Sequence, residues 1–115
     1  MKKVITGGLI ATASDMYEAD ILIENGKIVQ IGKNLSADGA EIVDATGRYV
    51  MTGGIDPHTH LDMPFNNTVT DDDWKSGTIA AAFGGTTTIL DFCLSAGEER
   101  LATAVEKWHV KAKGK

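Results

Sequence analysis

Two histidines one residue apart, His58 and His60, follow a pair of glycines and constrain this chain more than any other feature. In a strand the side chains alternate between faces, so both imidazoles point to one side and Thr59 points to the other. Asp56 shares the side of the histidines, and Asp62 follows beyond the expected end of the strand. Two imidazoles on one face can hold a divalent metal ion, although an isolated His-x-His is more often a solvated strand end.

The first 52 residues are predicted to form β-structure. Between two runs rich in β-branched residues lies Asn25-Gly26, the dipeptide that best accepts the positive φ angles of a type I′ turn, so a tight hairpin is expected. Gly7 and Gly8 are expected to end the first strand. No His, Cys or paired carboxylates cluster here, which indicates a structural role. The predicted strands are residues 4–6, 19–24, 27–31, 42–43 and 49–51.

The character of the sequence changes at Gly53, where we place a domain boundary. The remainder is predicted to alternate strand and helix, which is typical of a right-handed parallel unit. A polar loop, 62–73, ends in three aspartates that suit a helix N-terminus. Metal binding by this triplet is disfavoured, because consecutive side chains on a helix diverge around its axis. The predicted elements are a strand at 54–58, a helix at 74–83, a strand at 86–92 and a helix at 98–113.

Neither half of the chain is expected to complete a fold. A (β/α)₈ barrel needs about 250 residues, and two parallel strands do not close a sheet. The hairpins of the first half leave strand edges that another segment should cover. We therefore expect the chain to be the N-terminal piece of a longer protein.

Composition excludes several classes of function. A net charge of −5 supplies no basic stripe for nucleic acid. The single cysteine, Cys93, allows no internal disulfide and fits a reducing compartment. No run approaches the ~20 apolar residues of a membrane helix. A cytoplasmic protein without nucleic-acid or membrane partners is expected.

Several motifs, in order along the chain, resemble one family. Residues 54–61 resemble the Asp-x-His-x-His signature that opens the barrel of cyclic amidohydrolases. Residues 62–65 and the later 81–88 (Ala-Ala-Phe-Gly-Gly-Thr-Thr-Thr) are similar to the hydantoinase/dihydropyrimidinase branch, especially to bacterial D-hydantoinases. The segment 25–28 looks like that branch's N-terminal strands. The resemblance spans nearly all 115 residues.

The resemblance implies a fold and a metal site. Residues 1–52 would be the N-terminal part of a β-sandwich, and 53–115 would hold the first two β/α units of a (β/α)₈, TIM-like barrel, incomplete in this chain. It implies two zinc ions per active site, with His58 and His60 holding the more buried one. The family's bridging lysine, two further histidines and proton-transferring aspartate have no match here. His109 is interpreted as solvent-facing.

The resemblance also implies an activity. The intact protein would hydrolyse the ring amide of hydantoins or dihydropyrimidines to N-carbamoyl amino acids, with zinc supplying activated water and polarising the carbonyl. Met63 and Phe65 fall on the loop that lines the family's substrate pocket, although ordinary packing is the alternative. Relatives of this kind are homo-oligomers, commonly tetramers, or dimers. The 115 residues alone are predicted to be inactive.

Other functions remain open from the sequence. Dihydroorotases typically carry an arginine where this chain has Asp62, whose charge would repel a substrate carboxylate. Allantoinase is a weaker match beyond the metal motif. Dihydropyrimidinase-like scaffold proteins share the fold without being enzymes, but they have generally lost metal ligands. The His58 and His60 pair therefore favours an enzyme.

Overall fold

A computed structural model describes every residue from Met1 to Lys115, and the chain divides into two compact units, Met1–Thr52 and Gly53–Lys115. Both units are rich in strands, and neither contains a closed barrel. Neither of the two helices is long and apolar enough to cross a membrane. The first unit contains β1 (Lys2–Ala11), β2 (Met16–Glu24), β3 (Lys27–Gly32), β4 (Glu41–Asp44) and β5 (Tyr49–Val50). The second contains β6 (Gly54–Thr59), β7 (Pro64–Phe65), β8 (Thr68–Val69), α1 (Trp74–Phe83), β9 (Thr86–Asp91) and α2 (Leu101–Ala112).

The first unit is a single five-stranded sheet built around β1. Its strand order is β3-β2-β1-β4. On the same edge of β1 as β4, but further along the strand, β5 pairs with Leu9 and Ile10. The β1–β2 and β2–β3 pairs are antiparallel, whereas β4 and β5 run parallel to β1. Val4, Ile10 and Ile21 are buried on this sheet. The predicted β-structure of residues 1–52 is confirmed.

The hairpin between β2 and β3 forms where the sequence predicted it. Asn25 and Gly26 both have positive φ angles, 51° and 76°, as a type I′ turn requires. The register pairs Glu24 with Lys27, directly across the turn. Local turn chemistry therefore determines this part of the sheet.

The prediction that Gly7 and Gly8 end the first strand is wrong. β1 continues to Ala11, and its register against β2 shifts between Ile5 and Gly8. Gly7 has a φ of +69°, and its N–H donates to Asp20 Oδ1 at 3.2 Å. The glycines thus form an irregularity inside a long strand, because they accept backbone conformations that other residues resist.

The second unit brings β6 and β9 together as a parallel pair with α1 between them in sequence. This confirms the predicted parallel arrangement. Asp73 caps α1 by accepting 2.7 Å hydrogen bonds from the backbone N–H groups of Lys75 and Ser76. The bond from Ser76 is the main cause that lowers the pKa of the Asp73 carboxyl. The cap explains why the helix begins at Trp74, as predicted.

Two local predictions in this unit need correction. The expected loop 62–73 contains a short hairpin, β7–β8, turned by Asn66 and Asn67 with φ angles of 45° and 65°. The final helix begins at Leu101 instead of residue 98. Gly97, with a φ of +60°, and Glu98 form a turn that is closed by a hydrogen bond from the Glu99 N–H to the Ala96 carbonyl at 3.2 Å. Arg100 is extended, with a ψ of 138°, and is the N-cap of α2, so the helix begins one residue later.

A close approach beside β6 yields a stability prediction. A Cβ added at Gly53 would lie 2.1 Å from Thr87 Oγ1 and 2.7 Å from Thr87 Cβ, whereas at Gly54 its nearest neighbour would be Thr86 Oγ1 at 3.2 Å. We expect Gly53→Ala to reduce the free energy of unfolding by about 1–3 kcal/mol, because the branched side chain of Thr87 must move. Chemical denaturation measures this, with Gly54→Ala as the matched control. Equal effects of the two substitutions would contradict the steric explanation.

Candidate functional site

The two histidines converge at the end of β6. His58 lies within the strand, His60 follows it directly, and both are exposed. Their Nε2 atoms are 3.1 Å apart. Two imidazole nitrogens bound tetrahedrally to one zinc ion at ~2.0–2.1 Å lie about 3.4 Å apart, so the observed separation is within a few tenths of an ångström of that geometry. The pair therefore fits two positions around a single zinc-sized ion.

Phe92, which follows β9, packs against both imidazoles. Its ring centroid lies 4.3 Å from that of His58 and 5.2 Å from that of His60. This contact limits the orientations available to the two histidines. The sequence did not single out Phe92 for this role, because its proximity arises from the pairing of β6 with β9.

Asp56 does not complete a metal site with the histidines. Its Oδ1 accepts a hydrogen bond from the backbone N–H of His58 at 3.1 Å. No group of three or more His, Cys, Asp or Glu side chains is arranged to hold a metal ion. The sequence placed Asp56 on the same side as the histidines, but in the structure its side chain contacts the backbone of His58 and is not a third ligand. This chain supplies two candidate ligands.

Asp62 lies in the turn that follows the histidines. Its φ is 49°, in the left-handed region. Its carbonyl oxygen accepts a hydrogen bond from Lys111 Nζ, which also lies 3.7 Å from Oδ2 of the Asp62 carboxylate. Asp62 is therefore held by a basic residue of α2.

The two proposed pocket-loop residues differ in exposure. Met63 is 8% exposed, and its backbone N–H donates to Thr70 Oγ1 at 2.9 Å. Phe65, in β7, is 59% exposed. Met63 therefore packs within the second unit, whereas the Phe65 ring faces outward, available to a ligand or to a further packing partner.

A carboxylate that the sequence did not single out connects three segments near the histidines. Asp91, the last residue of β9, accepts hydrogen bonds at Oδ1 from Thr59 Oγ1 at 2.8 Å and from the Leu61 N–H at 2.9 Å. Its Oδ2 accepts from Trp108 Nε1 at 2.8 Å. The available signal was an aspartate directly after the apolar Ile89-Leu90 at the end of the strand, where a charge needs partners.

The remaining residues noted in the sequence have structural positions. In the aspartate triplet, Asp73 caps α1 and the Asp72 carboxylate accepts a hydrogen bond from Ser76 Oγ at 2.9 Å. Cys93 is half-buried and unpaired. His109 is exposed on α2, as predicted. None of these side chains joins the histidine pair.

Known proteins similar to this chain include hydrolases of cyclic amides. A D-hydantoinase from Geobacillus stearothermophilus is 66% identical over 115 residues, which is 100% of this chain and 24% of that protein. Dihydropyrimidinase 1 of Caenorhabditis elegans is 50% identical over 91 residues, or 78% of this chain and 19% of that protein. No family model matches the chain.

Solved structures agree with these relatives. A crystal structure of D-hydantoinase matches with a TM-score of 0.96 at 63% identity, covering 100% of this chain and 25% of that one. The dihydropyrimidinase from Brevibacillus agri NCHU1002 matches with a TM-score of 0.92 at 58% identity, covering 96% of this chain and 24% of that one. The chain thus spans about a quarter of the length of its relatives. Over that span it is homologous to the D-hydantoinases and dihydropyrimidinases, which confirms the family resemblance of its motifs.

Proposed function

We propose that the protein carrying this chain hydrolyses the ring amide of hydantoins or dihydropyrimidines to N-carbamoyl amino acids. The names of the homologous proteins support the substrate class. The observation that carries the proposal is the 3.1 Å convergence of the His58 and His60 Nε2 atoms within the homologous span. Because the chain spans a quarter of its relatives, the activity belongs to the whole protein.

His58 and His60 would hold one zinc ion through their Nε2 atoms. Their separation fits that ion, and neutral imidazole is a common zinc ligand. Zinc held there would supply activated water and polarise the substrate carbonyl. Two such ions would occupy each active site, as the family resemblance implies, and their further ligands would come from residues outside this chain. Within the chain, Phe92 packs against both rings and restricts their orientations.

The two units would be parts of larger domains. The sheet of residues 1–52 would be the N-terminal part of a β-sandwich, and 53–115 would begin a (β/α)₈ barrel. The parallel β6–α1–β9 unit supports the barrel, since that architecture repeats this arrangement. Several large apolar side chains are exposed, such as Phe83 at 91% and Val110 at 72%. Their exposure supports the proposal that further parts of the protein pack against them.

Further properties follow from the same homology. Phe65 would contribute to the pocket for the substrate's exocyclic group, with Met63 supporting the loop from beneath. The whole protein would be a homo-oligomer, a tetramer or a dimer. The unpaired Cys93 supports a cytoplasmic location.

A non-enzymatic scaffold protein of the dihydropyrimidinase-like kind is the second candidate. Such a protein has no use for paired metal ligands, whereas this chain retains both histidines in ligand-like geometry. That geometry favours the enzyme. Allantoinase is a further alternative within the cyclic amidohydrolases.

A substrate panel with metal removal tests the proposal. We expect the intact protein to open 5-substituted hydantoins or dihydrouracil, and to open allantoin far more slowly. Treatment with a zinc chelator should lower the rate at least about 100-fold, because metal polarisation contributes several kcal/mol to lowering the barrier. Added zinc should restore it. Zinc-loaded protein that opens none of these rings would support the scaffold, and a preference for allantoin would support the allantoinase.

A further inference from the structure

The Asp91 carboxylate accepts hydrogen bonds from the residues on both sides of His60, an arrangement that we call the Asp91 bracket. Thr59 and Leu61 are the immediate neighbours of His60, and both donate hydrogen bonds to Asp91 Oδ1, at 2.8 Å and 2.9 Å. The strand pairing reinforces this contact, because Thr59 is the register partner of Asp91. The side chain of Thr59 and the backbone of Leu61, on either side of His60, are therefore both held by a single oxygen atom on the neighbouring strand.

Helix α2 supports the bracket from a second direction. Trp108 Nε1 donates to the other carboxylate oxygen of Asp91 at 2.8 Å, which fixes the rotation of that carboxylate. One helical turn later, Lys111 donates to the carbonyl of Asp62, and its Nζ lies 4.7 Å from the centroid of the Trp108 ring. Residues 59, 61 and 62 are thus all held around His60, while the His60 side chain remains exposed.

We propose that Asp91 is a positioning residue for the His58 and His60 metal site. This inference rests on the proposed function. His60 follows the last residue of β6, and Phe92 contacts its ring, so the position of its backbone depends on the residues on either side. The Asp91 bracket fixes those residues, and it holds the His60 Nε2 at the convergence point with His58. Displacement of the His60 backbone by about 1 Å would open the nitrogen pair and weaken binding of a shared ion.

The charge and both oxygens of Asp91 matter for this role. Its three partners are all donors, so the side chain must accept at both ends. An asparagine has one acceptor oxygen and one donor amide group. Asp91→Asn would therefore set a donor against either Trp108 or the Thr59 and Leu61 pair, with almost no change in volume.

Asp91→Asn in the intact protein tests the inference. We expect its zinc affinity, measured by competition with a chromogenic chelator, to fall about 10–100-fold, which is the usual cost of losing a group that orients a metal ligand. The visible absorption bands of the cobalt(II)-loaded protein should also change, because the coordination geometry changes. Thermal unfolding is recorded in parallel.

Asp20→Asn is the matched control, because Asp20 also joins two segments. Its carboxylate accepts hydrogen bonds from the backbone N–H groups of Gly7 and Leu35, within the first unit. We expect Asp20→Asn to lower the unfolding temperature while leaving zinc affinity and the cobalt spectrum unchanged. If Asp91→Asn destabilises the protein in the same way but keeps native metal affinity and spectrum, the positioning role is wrong.

Two milder variants keep the test decisive if Asp91→Asn fails to fold. Thr59→Val and Trp108→Phe each remove one donor to Asp91 and preserve most of the side-chain volume. Each should weaken zinc binding by less than Asp91→Asn, and unchanged affinity in both would overturn the inference. His58→Ala distinguishes a failure of the Asp91 inference from a failure of the proposed metal site. Full metal retention in His58→Ala would reject the ligand assignment itself.

Discussion

Replacing both His58 and His60 by alanine is expected to abolish ring opening by the intact protein and to lower its bound zinc. The physical reason is that their Nε2 atoms, 3.1 Å apart, would be the ligands of one ion, and alanine offers that ion no replacement. Activity should fall below detection, and metal analysis should show the loss of at least one zinc ion per chain. Both histidines are exposed, so the fold itself should survive.

His109→Ala is the control for this double replacement. His109 is the remaining histidine of the chain and is exposed on α2. Its replacement should leave turnover and zinc content at native levels. A His58→Ala/His60→Ala protein with full zinc and full turnover would show that the metal is held elsewhere.

The 115 residues by themselves are expected to open no ring, even with excess zinc. They place two imidazoles together and bring no third His, Cys, Asp or Glu to the same point. Stable catalytic zinc sites use three protein ligands, and efficient ring opening also needs a group that moves a proton. The purified chain should therefore bind zinc weakly and leave hydantoins and dihydrouracil unchanged.

This second prediction is measured against the intact protein at equal molar concentration. Circular dichroism shows whether the isolated chain is folded during the assay, and isothermal titration with zinc gives its affinity. Zinc-dependent ring opening by the pure chain would contradict the prediction and would mean that these residues contain a complete site.

Local sequence patterns predicted most of the secondary structure. The Asn25-Gly26 turn, the start of α1 after Asp73 and the parallel pair β6 and β9 all appear as expected. The turn and the helix start depend on interactions within a few residues, and the two strands were indicated by their β-branched and apolar residues. One error falls where a distant partner decides the outcome. Gly7 and Gly8 continue β1 because its pairing with β2 absorbs an irregularity there.

The candidate site was also predictable only in part from the sequence. The alternation of side chains along a strand was enough to place His58 and His60 on one side, and the neighbouring motifs were enough to indicate the family. The sequence could not show that Met63 would be buried and Phe65 exposed, because exposure depends on what packs above the β7–β8 hairpin.

The sequence by itself determined which side chains this chain offers to a metal, since strand periodicity is a property of the local backbone. Only the tertiary structure decided how those side chains are held. Phe92 reaches both imidazoles, and Asp91 reaches the residues on either side of His60, because β9 pairs with β6 across about thirty residues of sequence. Contacts over such a separation are fixed by packing and hydrogen bonding in three dimensions, and no periodicity in the sequence encodes them.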